Sequence, residues 1–560
     1  HYWRFLKGDL TMSVQLKLRK SYTAVLAAVL VGGVTGFSGA VSAQEPTLSK
    51  EQFDRATLLY FQQCAGCHGV LRKGATGKNL EPENTLKLGQ QRLERIIALG
   101  TEGGMNNFDK IYSAEDIKLL ATYIQMPAPV PPEMSLAQMK ERTKQHVAVA
   151  DYPTKPMHGR NWKNFFLAIE RDNGSVAVID GDKKELVARI PTGYAVHVLK
   201  AVEANKVVKH PKPEEIGRFW YTMGRDGKMT KIDLWQTPEK KLVAESQIAY
   251  DARDVAVSGD GKYVIGGGYW PPHFVILDAA TMEPLKVVSA RGVNVDGKFV
   301  NEARVAAIYD TPLAPTWLVN IKELGQTWQV DYTDINNLRI DMIDNAKFLH
   351  DGFFDPTGQY FQIAANASNK MVVIDSTSRK LEAMIDVDVR PHPGPGANWI
   401  DPKCGPVGGT PHLGVGKMTA WGNDPKGHKD AAWKICYEVE TGGPGLFIRT
   451  HPKSDYVWID QTLHPEPEVQ QSINVIDKKT REIVKTIRLT ETKGYVAVHF
   501  EFNNEGTEVW ASVWNRADST KPNGEIIVFD AKTLKEIGRV KNLYAPTGKF
   551  NVYNRSHHVT

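Results

Sequence analysis

The sequence contains few cysteines, only four in 560 residues, and this scarcity limits the metal chemistry open to it. Cys64 and Cys67 form one C-x-x-C pair, and no second pair follows that would complete a four-cysteine zinc site. Cys404 and Cys436 remain. They are compatible with a disulfide in an oxidising compartment or with two buried free thiols, and the sequence leaves both open.

A strong excess of charge is also missing. The formal net charge is +5, which is small for this length and includes basic residues near the N-terminus. No basic stripe suggests a nucleic-acid partner, and we expect none. With 42% hydrophobic and 24% charged residues, the chain has the composition of a globular protein, and its length exceeds one ordinary domain.

No apolar run predicts a permanent membrane anchor. Residues 22–39 are apolar, but Gly, Ser and Thr dilute them and the run barely reaches spanning length. Met12, the basic residues between 17 and 20 and the small residues at 41–43 predict a cleaved secretory leader instead. We therefore interpret residues 1–43 as an N-terminal extension and signal peptide. We expect a periplasmic protein with no stable membrane span after the leader is removed.

The sequence Cys64-Ala-Gly-Cys67-His68 is the most informative motif. Thiols at this spacing add across the vinyl groups of a haem, and the histidine that follows ligates the iron. The preceding amphipathic run, residues 53–63, is typical of small cytochromes. The motif therefore predicts covalently bound haem c rather than a thioredoxin-type or zinc site.

A second axial ligand for that iron is expected from a methionine. Met105 lies in a glycine-rich segment between two predicted helices, 90–99 and a second one that Ser113 begins with a capping box. We predict that Met105 ligates the haem c iron, and the alternative is a methionine that fills the core.

Proline and charge are concentrated in residues 127–160, and helical periodicity is almost absent beyond them. An apolar strand that ends in aspartate then recurs, with steps of 53, 45, 53, 44, 102 and 53 residues, at Asp180, Asp233, Asp278, Asp331, Asp375, Asp477 and Asp530. A degenerate copy at Asp424 divides the double step. Eight copies of a period near fifty residues predict an eight-bladed β-propeller. The fold class is thus α + β multidomain, with an all-α class I cytochrome c domain and linker at 44–150 and an all-β propeller at 151–560.

The same period predicts which residues face the central channel. Positions 17 to 22 after the aspartate lead into the innermost strand of the next blade, and they hold His197, Arg253, His350, His499 and Thr547. His412 approaches the same region from the loop before the degenerate copy. Several histidines and an arginine that converge on one channel favour a ligand, metal or proton-handling site over isolated structural histidines.

At this point the chain resembles the cytochrome cd1 nitrite reductase family over essentially the whole mature sequence. The matching segments are CAGCHGVLRKGATGKNLEP at 64–82, GTEGGM at 100–105, TGYAVH at 192–197, GRDGK at 224–228, YWPP at 269–272, RVAAI at 304–308, VDYTDINNL at 330–338, FLHDG at 348–352, PHPGPGAN at 391–398 and PTGKFNVYN at 546–554.

The resemblance implies a non-covalent haem d1 in the propeller channel and one-electron reduction of nitrite to nitric oxide and water. It implies that His197 ligates the haem d1 iron and that His350 and His412 form the catalytic distal pair. Further macrocycle contacts are implied at Arg171, Lys200, Arg225, Arg253, Tyr269, His499 and Thr547. The family also implies a homodimer and a small periplasmic electron donor, either a c-type cytochrome or a cupredoxin.

Three departures from the family pattern keep other functions open. His499 replaces a usual glutamine, Lys200 replaces a common arginine, and the surroundings of His412 differ from the usual stretch. The same architecture serves a haem d1 biogenesis protein, a dihydro-haem d1 dehydrogenase, in which an extra channel histidine would act as a base. A non-catalytic, haem-carrying electron-transfer propeller is a further alternative, although it would need no distal histidines.

Overall fold

The computed structural model describes residues 46–74, 77–101, 105, 108–109, 111–203, 205–515 and 521–551. These residues belong to one compact unit. The predicted signal peptide at residues 12–43 lies outside them. None of the helices within these ranges has the length and apolar character required to cross a bilayer.

The N-terminal part is helical. Its α-helices are Lys50–Gln63, Ala65–His68, Pro82–Leu88, Gln90–Leu99, Ala114–Tyr123 and Leu136–Glu141. The first begins at Ser49 and the fifth at Ser113, whose side chains accept hydrogen bonds from backbone N–H groups inside the helix. Tyr60, Leu93 and Leu120 are among the buried residues of the core that these helices share.

Short helical turns interrupt the remainder of the chain. One α-helical turn is Pro467–Gln470, and the 3-10 turns are Val149–Asp151, Trp162–Asn164, Arg171–Asn173, Pro213–Glu215, Pro238–Lys240 and Asn366–Ser368.

Eight antiparallel sheets form the blades of the propeller, as the sequence period predicted. From the innermost strand outward, blades 1 to 4 are Pro546–Asn551, Phe165–Glu170, Ser175–Asp180 and Glu185–Pro191; Val198–Ala201, Phe219–Met223, Lys228–Asp233 and Leu242–Gln247; Asp251–Val257, Tyr263–Trp270, His273–Asp278 and Pro284–Ser289; and Val305–Asp310, Thr316–Ile321, Gln326–Asp331 and Arg339–Asp344.

Blades 5 to 8 follow in the same order. They are Leu349–Phe354, Tyr360–Ala365, Lys370–Asp375 and Lys380–Asp386; Ala397–Asp401, Gly405–Pro411, Lys417–Gly422 and Ile435–Glu440; Ile448–Thr450, Tyr456–Asp460, Ser472–Asp477 and Ile483–Arg488; and Tyr495–Phe502, Glu508–Asn515, Gly524–Asp530 and Glu536–Leu543. Lys144–Gln145 adds an outer strand to blade 2, and Gly292–Val293 with Phe299–Val300 forms a hairpin between blades 3 and 4.

The recurring aspartate has a structural role in its hairpin. It ends the third strand of a blade, and its carboxylate accepts hydrogen bonds from backbone N–H groups two and three residues later. Asp180 does so at 3.0 and 3.1 Å, and Asp477 does so at 2.8 and 2.9 Å. An aspartate stabilises this turn because its short side chain reaches its own backbone.

The ring closes where blade 8 meets blade 1. The C-terminal strand Pro546–Asn551 pairs with Phe165–Glu170, so residues from both ends of the propeller share one sheet. Trp510 of blade 8 is fully buried and stacks on Phe166 of blade 1 with ring centroids 4.0 Å apart. In blade 6, Cys404 and Cys436 form a disulfide that joins the first turn to the outermost strand.

We expect Trp510→Ala to lower the free energy of unfolding by about 3–5 kcal/mol, because it leaves a cavity between the blades that close the ring. Chemical denaturation followed by circular dichroism measures this. Ile537→Ala is the control, since Ile537 is 48% exposed on the outer strand of the same blade, and about 0.5 kcal/mol or less is expected. Equal destabilisation by the two variants would contradict a closure role for Trp510.

Candidate functional site

The C-x-x-C-H motif comprises Cys64 and the short helix Ala65–His68 that follows it, and neither cysteine belongs to the disulfide. The Nδ1 atom of His68 lies 2.7 Å from the Lys78 carbonyl oxygen, which leaves Nε2 available for a metal. Burial lowers the pKa of His68 and favours the neutral form that ligates iron. Met105 is half-buried and packs against the same helical core. This donor set fits a covalently attached haem.

The haem-attachment segment lies against the propeller. The Val70 N–H donates to Glu302 Oε1 at 2.8 Å. Gly66, between the two cysteines, allows the Arg225 side chain to approach closely, because a Cβ atom there would lie 2.0 Å from a guanidinium nitrogen. The site for haem c and the mouth of the propeller channel are therefore adjacent.

One charged or polar side chain from every blade lies on, or just before, the innermost strand. In blade order these residues are Thr547, His197, Arg253, Arg304, His350, His392, Arg449 and His499. Because innermost strands surround the axis of a propeller, this arrangement concentrates ligand-binding groups around the channel.

His197 projects into the channel. Its side chain is accessible to water. Nevertheless, burial and the charges of Arg253 and Arg225 lower the pKa of His197 well below its usual value. An exposed side chain with a lowered pKa is expected where protein surrounds an imidazole that faces an enclosed space. A neutral imidazole in that position is suited to ligate a haem iron.

His350, Asp351, His392 and Arg253 form a buried cluster. The imidazole rings of His350 and His392 lie 4.9 Å apart between centroids. Asp351 Oδ2 lies 3.2 Å from His350 Nδ1 and 3.9 Å from His392 Nε2, while Asp351 Oδ1 accepts from Arg253 at 2.8 Å. One carboxylate thus holds two imidazoles and a guanidinium together.

Burial and the neighbouring charges shift the pKa values of this cluster in opposite directions. Burial, and then the Arg253 charge, lower the pKa of His350 well below its usual value, while Asp351 raises it. Burial also lowers the pKa of His392, and Asp351 again raises it. Although burial acts against ionisation of Asp351, Arg253 and His350 hold the pKa of this carboxyl well below its usual range. These shifts favour the charged form of the Asp351 carboxylate and the neutral form of both imidazoles.

The structure does not bring His412 to His350. His412 follows the second strand of blade 6, and its Nε2 lies 2.9 Å from Thr419 Oγ1 on the third strand. It is fully buried, and burial lowers the pKa of its imidazole to about 4. The ring beside that of His350 is therefore His392 and not the expected His412. Pro391 pairs with His412, so the two histidines lie on neighbouring segments, but the His412 ring contacts Thr419.

His392 was not singled out from the sequence, although the repeat contained the signal. It stands 17 residues after Asp375, the same spacing that separates His197 from Asp180 and Thr547 from Asp530. No sequence signal identified Asp351, whose importance follows from its three contacts.

Several residues implied by the family resemblance do meet at the channel. The Tyr269 ring is buried beneath two guanidinium groups, with Arg225 at 4.8 Å and Arg304 at 5.4 Å from its centroid. Thr547 is half-buried on the innermost strand of blade 1. Arg171 begins the 3-10 turn Arg171–Asn173, where burial acts to lower its pKa but the charges of Asp172, Tyr194 and Cys67 raise it.

Lys200 has a different environment. Its ammonium donates to Asp254 Oδ2 at 3.1 Å and to the Ile308 carbonyl, and it lies 3.9 Å from the centroid of the Tyr309 ring. These contacts engage Lys200 between inner strands and explain its burial without a bound ligand.

His499 contacts a buried lysine, Lys549. It occupies a register shift in the innermost strand of blade 8, with φ of 56°. Lys549 Nζ lies 3.3 Å from His499 Nδ1 and also donates to the His499 carbonyl and to Ser512 Oγ, each at 2.9 Å. Burial and the Lys549 charge lower the pKa of His499 well below its usual value. The imidazole of His499 is therefore neutral, and burial also lowers the pKa of Lys549, to about 7.

The channel also carries several cations. Arg225, Arg253 and Arg304 pair with Asp251, Asp351 and Glu323, whereas Lys322 is 2% exposed and its ammonium donates to no partner within the described ranges. Burial, followed by the Arg304 charge, lowers the pKa of Lys322 to about 7. Such groups are costly to bury without anionic partners. A macrocycle with several carboxylates fits this donor set, as it fits an accessible imidazole at His197.

Comparison with known proteins agrees with this description. The family model for the "Cytochrome D1 heme domain" matches residues 160–555, and that for "Cytochrome C oxidase, cbb3-type, subunit III" matches residues 39–124. The chain is 42% identical over 94% of its length to a protein named nitrite reductase from Stutzerimonas stutzeri, of which it covers 98%.

More distant relatives have the same architecture. A dihydro-heme d1 dehydrogenase from Pseudomonas aeruginosa is 30% identical over 89% of this chain and 93% of its own length. A solved structure titled "Dihydro-heme d1 dehydrogenase NirN in complex with DHE" superposes with a TM-score of 0.68 at 29% identity, covering 90% of this chain and all of the other. From the domain match, the near-complete alignment and the two haem sites, we conclude that the chain belongs to the cytochrome cd1 nitrite reductase family and binds haem c and haem d1.

Proposed function

We propose that this protein is a nitrite reductase that converts nitrite, one electron and two protons into nitric oxide and water. The observation that carries the proposal is the His350–His392 pair beside Asp351 and Arg253, which offers two protonatable imidazoles at the channel. The 42% identity to a nitrite reductase over nearly the whole chain supports the same reaction.

The two cofactors divide the work. When bound, haem c supplies electrons, and haem d1 supplies the iron that holds nitrite and reduces it. The remaining task, delivery of two protons to the oxygen that leaves as water, belongs to the protein.

His350 and His392 are the proposed proton donors. The His392 Nδ1 atom is 2.7 Å from the Leu446 carbonyl oxygen, so it carries a proton and Nε2 is free to exchange one. The His350 Nδ1 atom faces Asp351 at 3.2 Å, and its Nε2 atom lies 3.3 Å from Arg253 Nη2. An anion at the channel raises the pKa of a neighbouring imidazole, so entry of nitrite draws protons onto the two rings.

The location of the protein, its oligomeric state and its electron donor are proposed from the family and the predicted leader. Family membership and the leader predicted at residues 12–43 support export to the periplasm. Family membership also supports a homodimer that receives electrons from a small c-type cytochrome or cupredoxin.

A dihydro-haem d1 dehydrogenase is the second candidate, and His499 is the observation that favours it. A buried neutral imidazole at this position is suited to accept a proton, and the chain is 30% identical to such a dehydrogenase. Burial and the Lys549 charge hold the pKa of His499 well below its usual value, however, so the ring is a weak base. Nitrite reduction is therefore the stronger proposal.

Met105→Ala should lower the reduction potential of haem c, because a thioether ligand favours the reduced iron. A spectroelectrochemical titration of the c-type absorption band measures the shift. Met126→Ala is the control and should leave the potential unchanged. If Met105→Ala retained the original potential, another residue would be the ligand.

His350→Ala and His392→Ala should each reduce nitric oxide formation on the order of 100-fold with both haems retained, because each removes a proton donor. His412→Ala tests the alternative pair and should have a much smaller effect, since its ring bonds to Thr419. Nitric oxide release from reduced protein, measured with an electrode, distinguishes them. A large loss in His412→Ala together with a normal His392→Ala protein would reverse the assignment.

Asp351→Asn should move the pH profile of kcat/KM for nitrite toward lower pH. The Asp351 charge raises the pKa of both imidazoles, so its removal lowers both values and more acid is needed to protonate them. Asp388→Asn removes a carboxylate that pairs with Lys417 and should leave the profile in place. An unchanged profile in Asp351→Asn would exclude the imidazoles as its origin.

A further inference from the structure

Glu302 connects the haem c segment to the propeller, and we propose that it is a positioning residue for electron transfer between the two haem sites. It lies just before the innermost strand of blade 4, far from the C-x-x-C-H motif in sequence. The proposal rests on the two haem sites and not on nitrite as the substrate.

The contact is made by the carboxylate itself. Glu302 Oε1 accepts the Val70 N–H at 2.8 Å, and the neighbouring Leu71 N–H also bonds to the same side chain. Gly69, with φ of 79°, brings the backbone so close that a Cβ atom there would lie 3.2 Å from Glu302 Oε1. Hydrogen bonds from backbone N–H groups to a carboxylate are among the stronger ones in proteins.

A second contact holds the other end of the same segment. The Arg304 guanidinium donates to the Gly74 carbonyl oxygen at 3.4 Å, while Glu323 holds Arg304 in place through Nε at 2.8 Å. Glu302 and Arg304 are two residues apart and lie at the entrance to one strand. Together they fix a backbone N–H at residue 70 and a carbonyl at residue 74.

The held segment directly follows the predicted iron ligand His68. On its other side, Gly66 packs against Arg225, whose guanidinium lies over the Tyr269 ring at the channel. Movement of residues 69–74 away from the propeller would separate the two haem sites. With both groups bound, haem c would supply the electron that haem d1 takes up, and that transfer would slow as the two sites move apart.

The test uses the protein with both haems and compares Glu302→Ala and Glu302→Gln with Glu283→Gln. The glutamine variant at position 302 would keep one acceptor oxygen for a single N–H, whereas the alanine variant removes both bonds. Glu283 is half-exposed and pairs with Lys140 of helix Leu136–Glu141, so its substitution leaves the haem c segment untouched. Two quantities are measured: hydrogen exchange of the peptide that contains Val70, and the rate of electron transfer from haem c to haem d1 after rapid photoreduction without nitrite.

We expect Glu302→Ala to speed exchange about tenfold and to slow internal electron transfer, because loss of a charge-assisted hydrogen bond shifts the docked segment toward an open state. Reduction of haem c by an external reductant should be unaffected. Glu302→Gln should give exchange and electron-transfer rates between those of Glu302→Ala and of the unmodified protein. Glu283→Gln should match the unmodified protein.

Unchanged exchange in Glu302→Ala would overturn the contact. Faster exchange with unchanged internal electron transfer would overturn the positioning role, since the contact would then only stabilise the fold. If Glu302→Ala does not retain both haems, Glu302→Gln decides by the same two measurements. Absence of nitrite turnover in the unmodified protein would reject the proposed function without affecting this result.

Discussion

Closure of the propeller by the C-terminal strand Pro546–Asn551 is the constraint on which the site depends. The strand completes blade 1, and with it eight innermost strands surround one channel. Each blade contributes a charged or polar side chain on or before its innermost strand, so residues as distant in sequence as His197 and His499 belong to one ring of positions. The inner strands of blades 5 and 8 carry register shifts at His350 and His499, which turn these side chains away from regular alternation.

Within that channel the balance between Asp351 and Arg253 sets the chemistry. Arg253 and burial keep the imidazoles of His350 and His392 neutral, while Asp351 anchors both and makes them easier to protonate. Such a cluster takes up protons when an anion arrives. The adjoining Arg225, Tyr269 and Glu302 connect it to the haem c segment, so electron entry and proton delivery meet in one region of the molecule.

Much of this organisation was predictable from the sequence because it has local causes. The C-x-x-C-H motif identified haem c, and aspartates such as Asp180 and Asp477 recur because each closes the same turn. The period also indicated His197 and His350 at the channel. The same spacing pointed to His392, 17 residues after Asp375, whereas His412 was chosen from the loop before the degenerate copy. The role of Lys200 was obscured, since its partners Asp254 and Ile308 come from other blades. Long-range pairs of this kind, like Glu302 with Val70, have no signature in a single sequence.

The most direct test of the account is a single-turnover measurement on the protein loaded with both haems. The protein is reduced, freed of excess reductant and mixed with nitrite without oxygen, while nitric oxide and the absorption bands of both haems are followed together. The account predicts that nitric oxide appears as haem c becomes oxidised, in proportion to the electrons consumed. Protein with both haems that stays reduced and releases no nitric oxide would contradict it.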